Sequence, residues 1–208
     1  MSSISAGKVK ELRDISGAGM MDCKKALSES DGDIQKAMDF LRKSGIAKAQ
    51  KKAGREVKDG LVSTYIHPGS KLGVMLEINC ETDFVAKTSS FQDLSKDIAM
   101  HIAAASPVSV SKEDIPSDLL EKEKEIYLDQ AKASGKPQEI AEKMVIGRMD
   151  KFCKENALLE QQFVKDPNVT VNEVLTDTIA KLGENISIAR FVRFQLGEGS
   201  SSPSKDSE

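Results

Sequence analysis

Four apolar side chains, Val74, Leu76, Ile78 and Cys80, stand on alternate positions of this chain. A period of two puts all four on one face of a β-strand, and that face must be covered by another element. An earlier run, Leu61 to His67, joins it through Pro68-Gly69-Ser70-Lys71, a turn composition that predicts a β-hairpin. Near the far end, Ile186, Ile188, Val192, Phe194 and Leu196 form a second alternating run, which is expected to add a third strand to the hairpin. The spacing between these runs is helical. Phe91, Leu94, Ile98, Ile102 and Ala105 form the stripe of one helix, expected to follow Val85 and end near Ala105. Further helices are expected over Leu119–Ser134, Gln138–Asn156 and Val171–Leu182, with Gly135-Lys136-Pro137 interrupting the first two. The expected fold class is therefore α+β, an antiparallel three-stranded sheet covered by helices.

The residues ahead of the sheet predict a small helical module. Val9 and Leu12 begin a stripe that Ser16-Gly17-Ala18-Gly19 breaks, since two close glycines permit a tight turn. Cys23, Ala26 and Leu27 share one face of a second helix over Met20–Ser30, and Asp31-Gly32-Asp33 provides a stop followed by an N-cap. Ile34, Ala37, Met38 and Leu41 recur at helical spacing, with Gly45 as the expected end. Residues 1–45 thus form a three-helix bundle, near the lower size limit for independent stability. From Lys43 to Lys58 the chain carries six Lys or Arg against one acid, and its apolar content is mostly alanine. Residues 46–58 are expected to be an exposed basic linker, either a solvated spacer or a patch facing RNA or a partner. The core is expected over 59–198, and a polar, disordered tail over 199–208.

Composition removes several function classes. The chain has 30 Lys+Arg and 33 Asp+Glu, a formal net charge of −3 over 208 residues, which excludes a uniformly basic nucleic-acid coat. Seven Phe, two Tyr and no Trp leave few rings for base stacking. No apolar run approaches the roughly 20 residues that span a membrane, and Met1 to Lys10 has no hydrophobic segment of a signal peptide. Cys23, Cys80 and Cys153 are odd in number and widely spaced. They read as free thiols of a reducing compartment rather than a disulfide frame or zinc site, and a cytoplasmic setting is expected. None of the phosphate-loop, dinucleotide, zinc-protease or nucleophile-elbow motifs is present. A protein without cofactor, metal or covalent chemistry is expected.

Four places in the sequence still invite a functional reading. In Glu81-Thr82-Asp83-Phe84-Val85, Thr82 or Asp83 can cap a following helix. Phe84 can pack beside that cap as a staple, or project as a rigid apolar wedge into a partner. Met20-Met21, after the glycine turn, offers flexible thioethers for an adaptive contact, or simply packs in the bundle. His101 falls on the apolar stripe of its helix, as a hydrogen-bonded core residue or as part of a site. Cys80, on the covered face of its strand, reads as a small hydrophobe; a thiol or metal enzyme built on Cys80 and His101 is the outlying alternative.

These residues also carry a family resemblance. Leu12-Arg13 followed by Gly17-Ala18-Gly19-Met20-Met21-Asp22-Cys23-Lys24-Lys25-Ala26-Leu27 resembles the first signature of the elongation factor Ts family, and Asn79-Cys80-Glu81-Thr82-Asp83-Phe84-Val85-Ala86 resembles the second. Met100-His101-Ile102-Ala103-Ala104, Gly135-Lys136-Pro137 and Ile140-Ala141-Glu142-Lys143-Met144 are similar to shorter family segments, in order. The resemblance implies an N-terminal bundle of the ubiquitin-associated type and a guanine-nucleotide exchange factor for elongation factor Tu, bound in its GDP and nucleotide-free forms. It implies that Thr82, Asp83, Phe84 and Val85 enter near the partner's nucleotide site and dislodge magnesium. It further implies that His101 supports Phe84, and that Arg13, Met20, Met21 and Lys24 touch the partner's nucleotide domain. The length matches the short, single-core form, which implies a homodimer. No membrane and no specific nucleic acid are implied as partners.

Overall fold

The computed structural model describes residues 4–133 and 137–198. The expected interruption at Gly135-Lys136 and the expected disordered tail lie outside the described residues. Two compact units emerge from the packing, one made of Met1–Leu61, Ile78–Leu94 and Glu173–Ser187, the other of Val62–Glu77, Ser95–Asn172 and Ile188–Glu208.

The first unit begins with helices α1 (Ala6–Ser16), α2 (Met20–Glu29) and α3 (Ile34–Gln50). Val9, Leu12, Cys23, Ala26, Leu27 and Ala37 are buried together, with Ile34, Met38 and Leu41 packed against them. The caps follow the residue chemistry. The Ser5 hydroxyl accepts from the Lys8 N–H at 3.3 Å, and the Asp33 carboxylate from the Lys36 N–H at 2.9 Å, each satisfying an otherwise orphaned first-turn donor. Gly45 does not end α3, which continues to Gln50 with Ala49 buried. A Cβ on Gly45 would lie 3.4 Å from the Ala180 Cβ, so this glycine sits where α3 meets helix α8 (Val171–Leu182). Glycine inside a helix costs about 1 kcal/mol against alanine, and a Cβ here would meet Ala180 at ordinary van der Waals distance.

The three-stranded sheet has the order β1 (Asp59–Ile66), β2 (Leu72–Cys80), β5 (Ile186–Gln195) and is antiparallel. These strands and helix α5 (Ser89–Ala105) run through both units. Val74, Leu76, Ile78 and Cys80 are all buried, as their alternation requires. At Gly60 the pairing is so close that a Cβ would stand 2.3 Å from the Ile78 carbonyl oxygen, which only glycine tolerates. The late run behaves differently along its length. Ile186 and Ile188 are buried, while Val192 and Phe194 are exposed and Leu196 lies beyond the strand. Alternation reports a face, and says nothing of how far along that face a cover extends.

The helix expected after Val85 is two helices, α4 (Asp83–Ala86) and α5. Thr88 separates them: its hydroxyl donates to the Val85 carbonyl at 2.7 Å and accepts from the Phe91 N–H at 3.3 Å, so it closes one helix and caps the next. Phe91, Leu94, Ile98 and Ile102 are buried along α5. In the second unit α6 (Ser117–Ala133) and α7 (Gln138–Asn156) form a pair, with the Arg148 guanidinium 5.6 Å from the Tyr127 ring centre. A two-stranded antiparallel ribbon, β3 (Gln162–Phe163) with β4 (Asp166–Thr170), follows them and was not expected from the sequence. No helix among the described residues is long and apolar enough to cross a membrane.

Candidate functional site

Thr82 occupies the turn between β2 and α4 in an extended conformation, and every polar group it has is engaged. Its N–H donates to Glu184 Oε2 at 3.0 Å and its hydroxyl to Glu184 Oε1 at 2.7 Å. The same hydroxyl oxygen accepts from the Val85 N–H at 3.4 Å, which makes Thr82 the N-cap of α4. Its carbonyl accepts from the Cys80 thiol at 3.1 Å and from the Ala86 N–H at 3.3 Å. Glu81, one residue earlier, accepts the Asn185 N–H at 2.6 Å and faces Arg55 at 3.5 Å. The side-chain amide of Asn185, buried, donates to the Arg55 carbonyl at 2.8 Å.

Val85 and Ala86 are buried beneath this turn. Phe84 points the other way and is 77% exposed. The staple alternative for Phe84 does not hold. The ring is an unburied aromatic that follows a capping residue, Thr82, whose own polar groups are all engaged. Asp83 is exposed beside it, with Lys87 donating to its carboxylate at 2.6 Å. That hydrogen bond, and the charge behind it, hold the Asp83 carboxyl below its usual range. Asp83 is therefore a carboxylate at any neutral pH.

The Cys80 thiol is displaced upward, first by burial and then by the negative charge of Glu184. It is a buried hydrogen-bond donor, not a thiolate, so it lacks the form of a nucleophile. Among the described residues no group of three or more His, Cys, Asp or Glu could hold a metal ion.

The N-terminal candidates also lie in the first unit. Arg13 is in the last turn of α1, and its carbonyl accepts the Gly17 N–H at 2.8 Å. Met20 and Met21 open α2 and are 53% and 75% exposed, so neither packs in the bundle. Arg13 and Lys24 are exposed as well. The basic stretch after them is largely engaged. Lys48 pairs with Asp22 at 2.7 Å, Lys52 donates to the Gly183 carbonyl, Arg55 faces Glu81, and Lys58 lies 3.1 Å from Glu56. Pairing of Lys48, Arg55 and Lys58 with acids lowers the positive charge that this stretch offers a phosphate backbone.

His101 belongs to the second unit and is 1% exposed. The Val164 N–H donates to its Nδ1 at 3.1 Å, so Nδ1 is the unprotonated nitrogen. Nε2 then carries the hydrogen and donates to Gln161 Oε1 at 2.9 Å. Gln161 is oriented in turn by donating to the Glu155 carbonyl at 2.7 Å. Burial pushes the imidazole below its ordinary value of 6.5, opposed in part by the Gln161 acceptor. A second proton would have to sit on Nδ1, facing the Val164 N–H.

The structure thus brings Thr82, Asp83, Phe84 and Val85 together on one braced turn. His101 is a satisfied interior group. Sequence reasoning quoted Glu81 without giving it a role and missed Glu184 and Asn185; the three build the brace. The only signal of Glu184 and Asn185 is the Gly183-Glu184-Asn185 step ahead of β5, and that does not reveal a contact made a hundred residues away.

Comparison with known proteins places the chain in a family. Residues 46–198 match the family model described as Elongation factor TS. A protein of Fervidobacterium nodosum named Elongation factor Ts is 57% identical over 94% of this chain and 99% of its own length. Relatives of the same name from Thermoanaerobacter sp. and Geobacter sulfurreducens are 58% and 57% identical, over 94% and 95% of this chain and 96% and 91% of theirs.

Proposed function

The chain belongs to the elongation factor Ts family, with that family's translation role in nucleotide exchange on elongation factor Tu, and we propose that it performs the exchange through the turn at Thr82–Val85. The observation that carries this reading is Phe84, 77% exposed on a turn that is held at Thr82 by Glu184 and by the Val85 cap. An exchange factor shifts nothing unless it binds the nucleotide-free partner better than the GDP-bound one. A rigid apolar ring serves that end, because it finds a pocket only when the partner's elements have moved apart. GDP is held on its partner through a phosphate loop and magnesium. Phe84, entering between the partner's helices, displaces the elements that position magnesium, and Asp83 beside it keeps a negative charge near the same place. With magnesium loosened, the phosphate contacts weaken and GDP leaves. Linkage is reciprocal, so incoming GTP weakens the factor's hold to the same degree. No covalent bond is made or broken.

Arg13, Met20, Met21 and Lys24, on the 1–45 bundle, supply a second contact with the partner's nucleotide domain. Exposed thioethers beside two cations suit a surface that adapts. Residues 46–58 connect this contact to the core over 59–198. His101, within the second unit, acts as a fixed interior group rather than as an acid or base.

The active form is a homodimer joined through the open part of the sheet. Val62, Met75, Glu77, Arg190, Phe191 and Val192 line a shallow, mostly apolar depression there. Val62, Met75, Val192 and Phe194 are all at least half exposed, at 67%, 50%, 55% and 76%. Sedimentation of the chain and of Val192→Glu tests this, a dimer becoming a monomer in the variant.

Release of a fluorescent GDP analogue from elongation factor Tu tests the function. The chain should accelerate release strongly at micromolar concentration. No acceleration at any concentration would refute the exchange reading.

A further inference from the structure

The turn that bears Phe84 has little reason to hold its shape unaided. Helix α4 is four residues long, and so short a helix has no stability of its own in water. Its conformation must be imposed from outside. The Glu184 carboxylate is placed to do this, receiving the Thr82 N–H on one oxygen and the Thr82 hydroxyl on the other.

A surface glutamate usually contributes little, because it must be ordered before it can bind. Glu184 is ordered already. The residue before it, Gly183, has its carbonyl held by Lys52. The residue after it, Asn185, is buried and tied by its backbone N–H to Glu81 and by its side chain to the Arg55 carbonyl. The carboxylate thus hangs from a strut fixed on both sides and grips one residue with both oxygens, the geometry in which charge-assisted hydrogen bonds are strongest.

We propose that Glu184 is a positioning residue, whose carboxylate sets the Thr82–Ala86 turn so that Phe84 is presented at a fixed angle. The proposal rests on the exchange reading for its functional consequence, though not for the brace itself. An inserted side chain transmits force only if its backbone does not yield, and a misplacement of about an ångström at a working group can cost up to a hundredfold in rate. Removing the carboxylate leaves the exposed ring in place and takes away what aims it.

The test uses the full chain and its variants Glu184→Ala and Glu184→Gln, with three readouts. Amide hydrogen exchange of Thr82–Ala86 in the free chain should rise about tenfold in Glu184→Ala while the melting temperature stays put, since the brace is local. The maximal rate of GDP-analogue release should fall about tenfold, with the half-saturating concentration changed less than about twofold. Glu184→Gln keeps one acceptor oxygen and should fall between. In a Phe84→Ala background, Glu184→Ala should cost nothing further, because the carboxylate acts through the ring.

Unchanged amide exchange in Glu184→Ala, or a full additional loss in the Phe84→Ala background, would overturn the proposal. If Glu184→Ala fails to fold, the same criteria apply to Glu184→Gln. If the parent chain releases no GDP, the exchange reading fails and the brace is judged by amide exchange alone.

Discussion

Phe84 and His101 were marked by the same sequence reasoning, and the structure treats them in opposite ways. Phe84 is apolar and left in water. His101 is polar and shut away from it. At Phe84 the side chain is left without a cover. At His101 both ring nitrogens are committed, one to the Val164 N–H and one to Gln161. An aromatic that forgoes burial sets aside about 25 cal/mol for every Å² left exposed, which a partner's pocket can recover. A histidine with no free nitrogen has nothing left to offer a substrate or a partner directly. Phe84 is left with a surface still to cover, whereas His101 has made the contacts open to its ring.

This contrast sets the expected size of each perturbation. The largest is Phe84→Ala, which should cut the maximal rate of GDP release by about a hundredfold, as truncation of an anchor does. Its urea midpoint should match the parent, because the ring is already in water. A matching loss of stability would mean that Phe84 packs within the chain. Next comes His101→Ala, where the order reverses. Unpairing Val164 and Gln161 and opening a cavity should cost about 3 kcal/mol of folding stability. Release by the folded fraction should change far less than in Phe84→Ala, and a hundredfold loss of release with unaltered stability would break the distinction. Met21→Ala, at the second contact, should weaken partner affinity by a few-fold, as an adaptable thioether at an interface would.

A smaller effect is expected from pH. The folded His101 has a depressed pKa, so as pH falls the unfolded chain takes up the proton first. Stability is then intact above 6.5 and is lost as pH falls from 6.5 toward the folded value. Melting curves collected from pH 7 downward should show this decline, and His101→Gln should flatten it. The smallest effect belongs to Lys87→Ala. The Lys87–Asp83 pair is fully exposed, so the urea midpoint should not move, and a clear shift would show that the α4 turn depends on that pair rather than on Glu184.

Much of this was legible in the sequence where a pattern repeats or a cap is local. The alternation of Val74, Leu76, Ile78 and Cys80 revealed the covered strand, and helices α7 and α8 fall at Gln138–Asn156 and Val171–Leu182, the ranges expected for them. Asp33 caps α3 and Thr82 caps α4 through side chains of the expected type. What escaped has no period or depends on distant chain. The β3–β4 ribbon has a two-residue strand and a proline at 167, too short and irregular for a period to show. The break at Thr88 rests on one hydroxyl. Gly45, read as an end, lies inside α3 and faces Ala180, a neighbour that only the tertiary fold reveals. Thr82 was legible as a cap, but its grip on Glu184 spans 102 residues and was not.

The most direct test places a photoreactive benzoyl-phenylalanine at position 84 and irradiates the chain with elongation factor Tu. The account expects a crosslink to the partner's nucleotide-binding domain, strongest when nucleotide is absent and suppressed by excess GDP with magnesium. A probe at position 84 that remains uncrosslinked in a complex shown to form, or that reacts equally well with and without nucleotide, would contradict it.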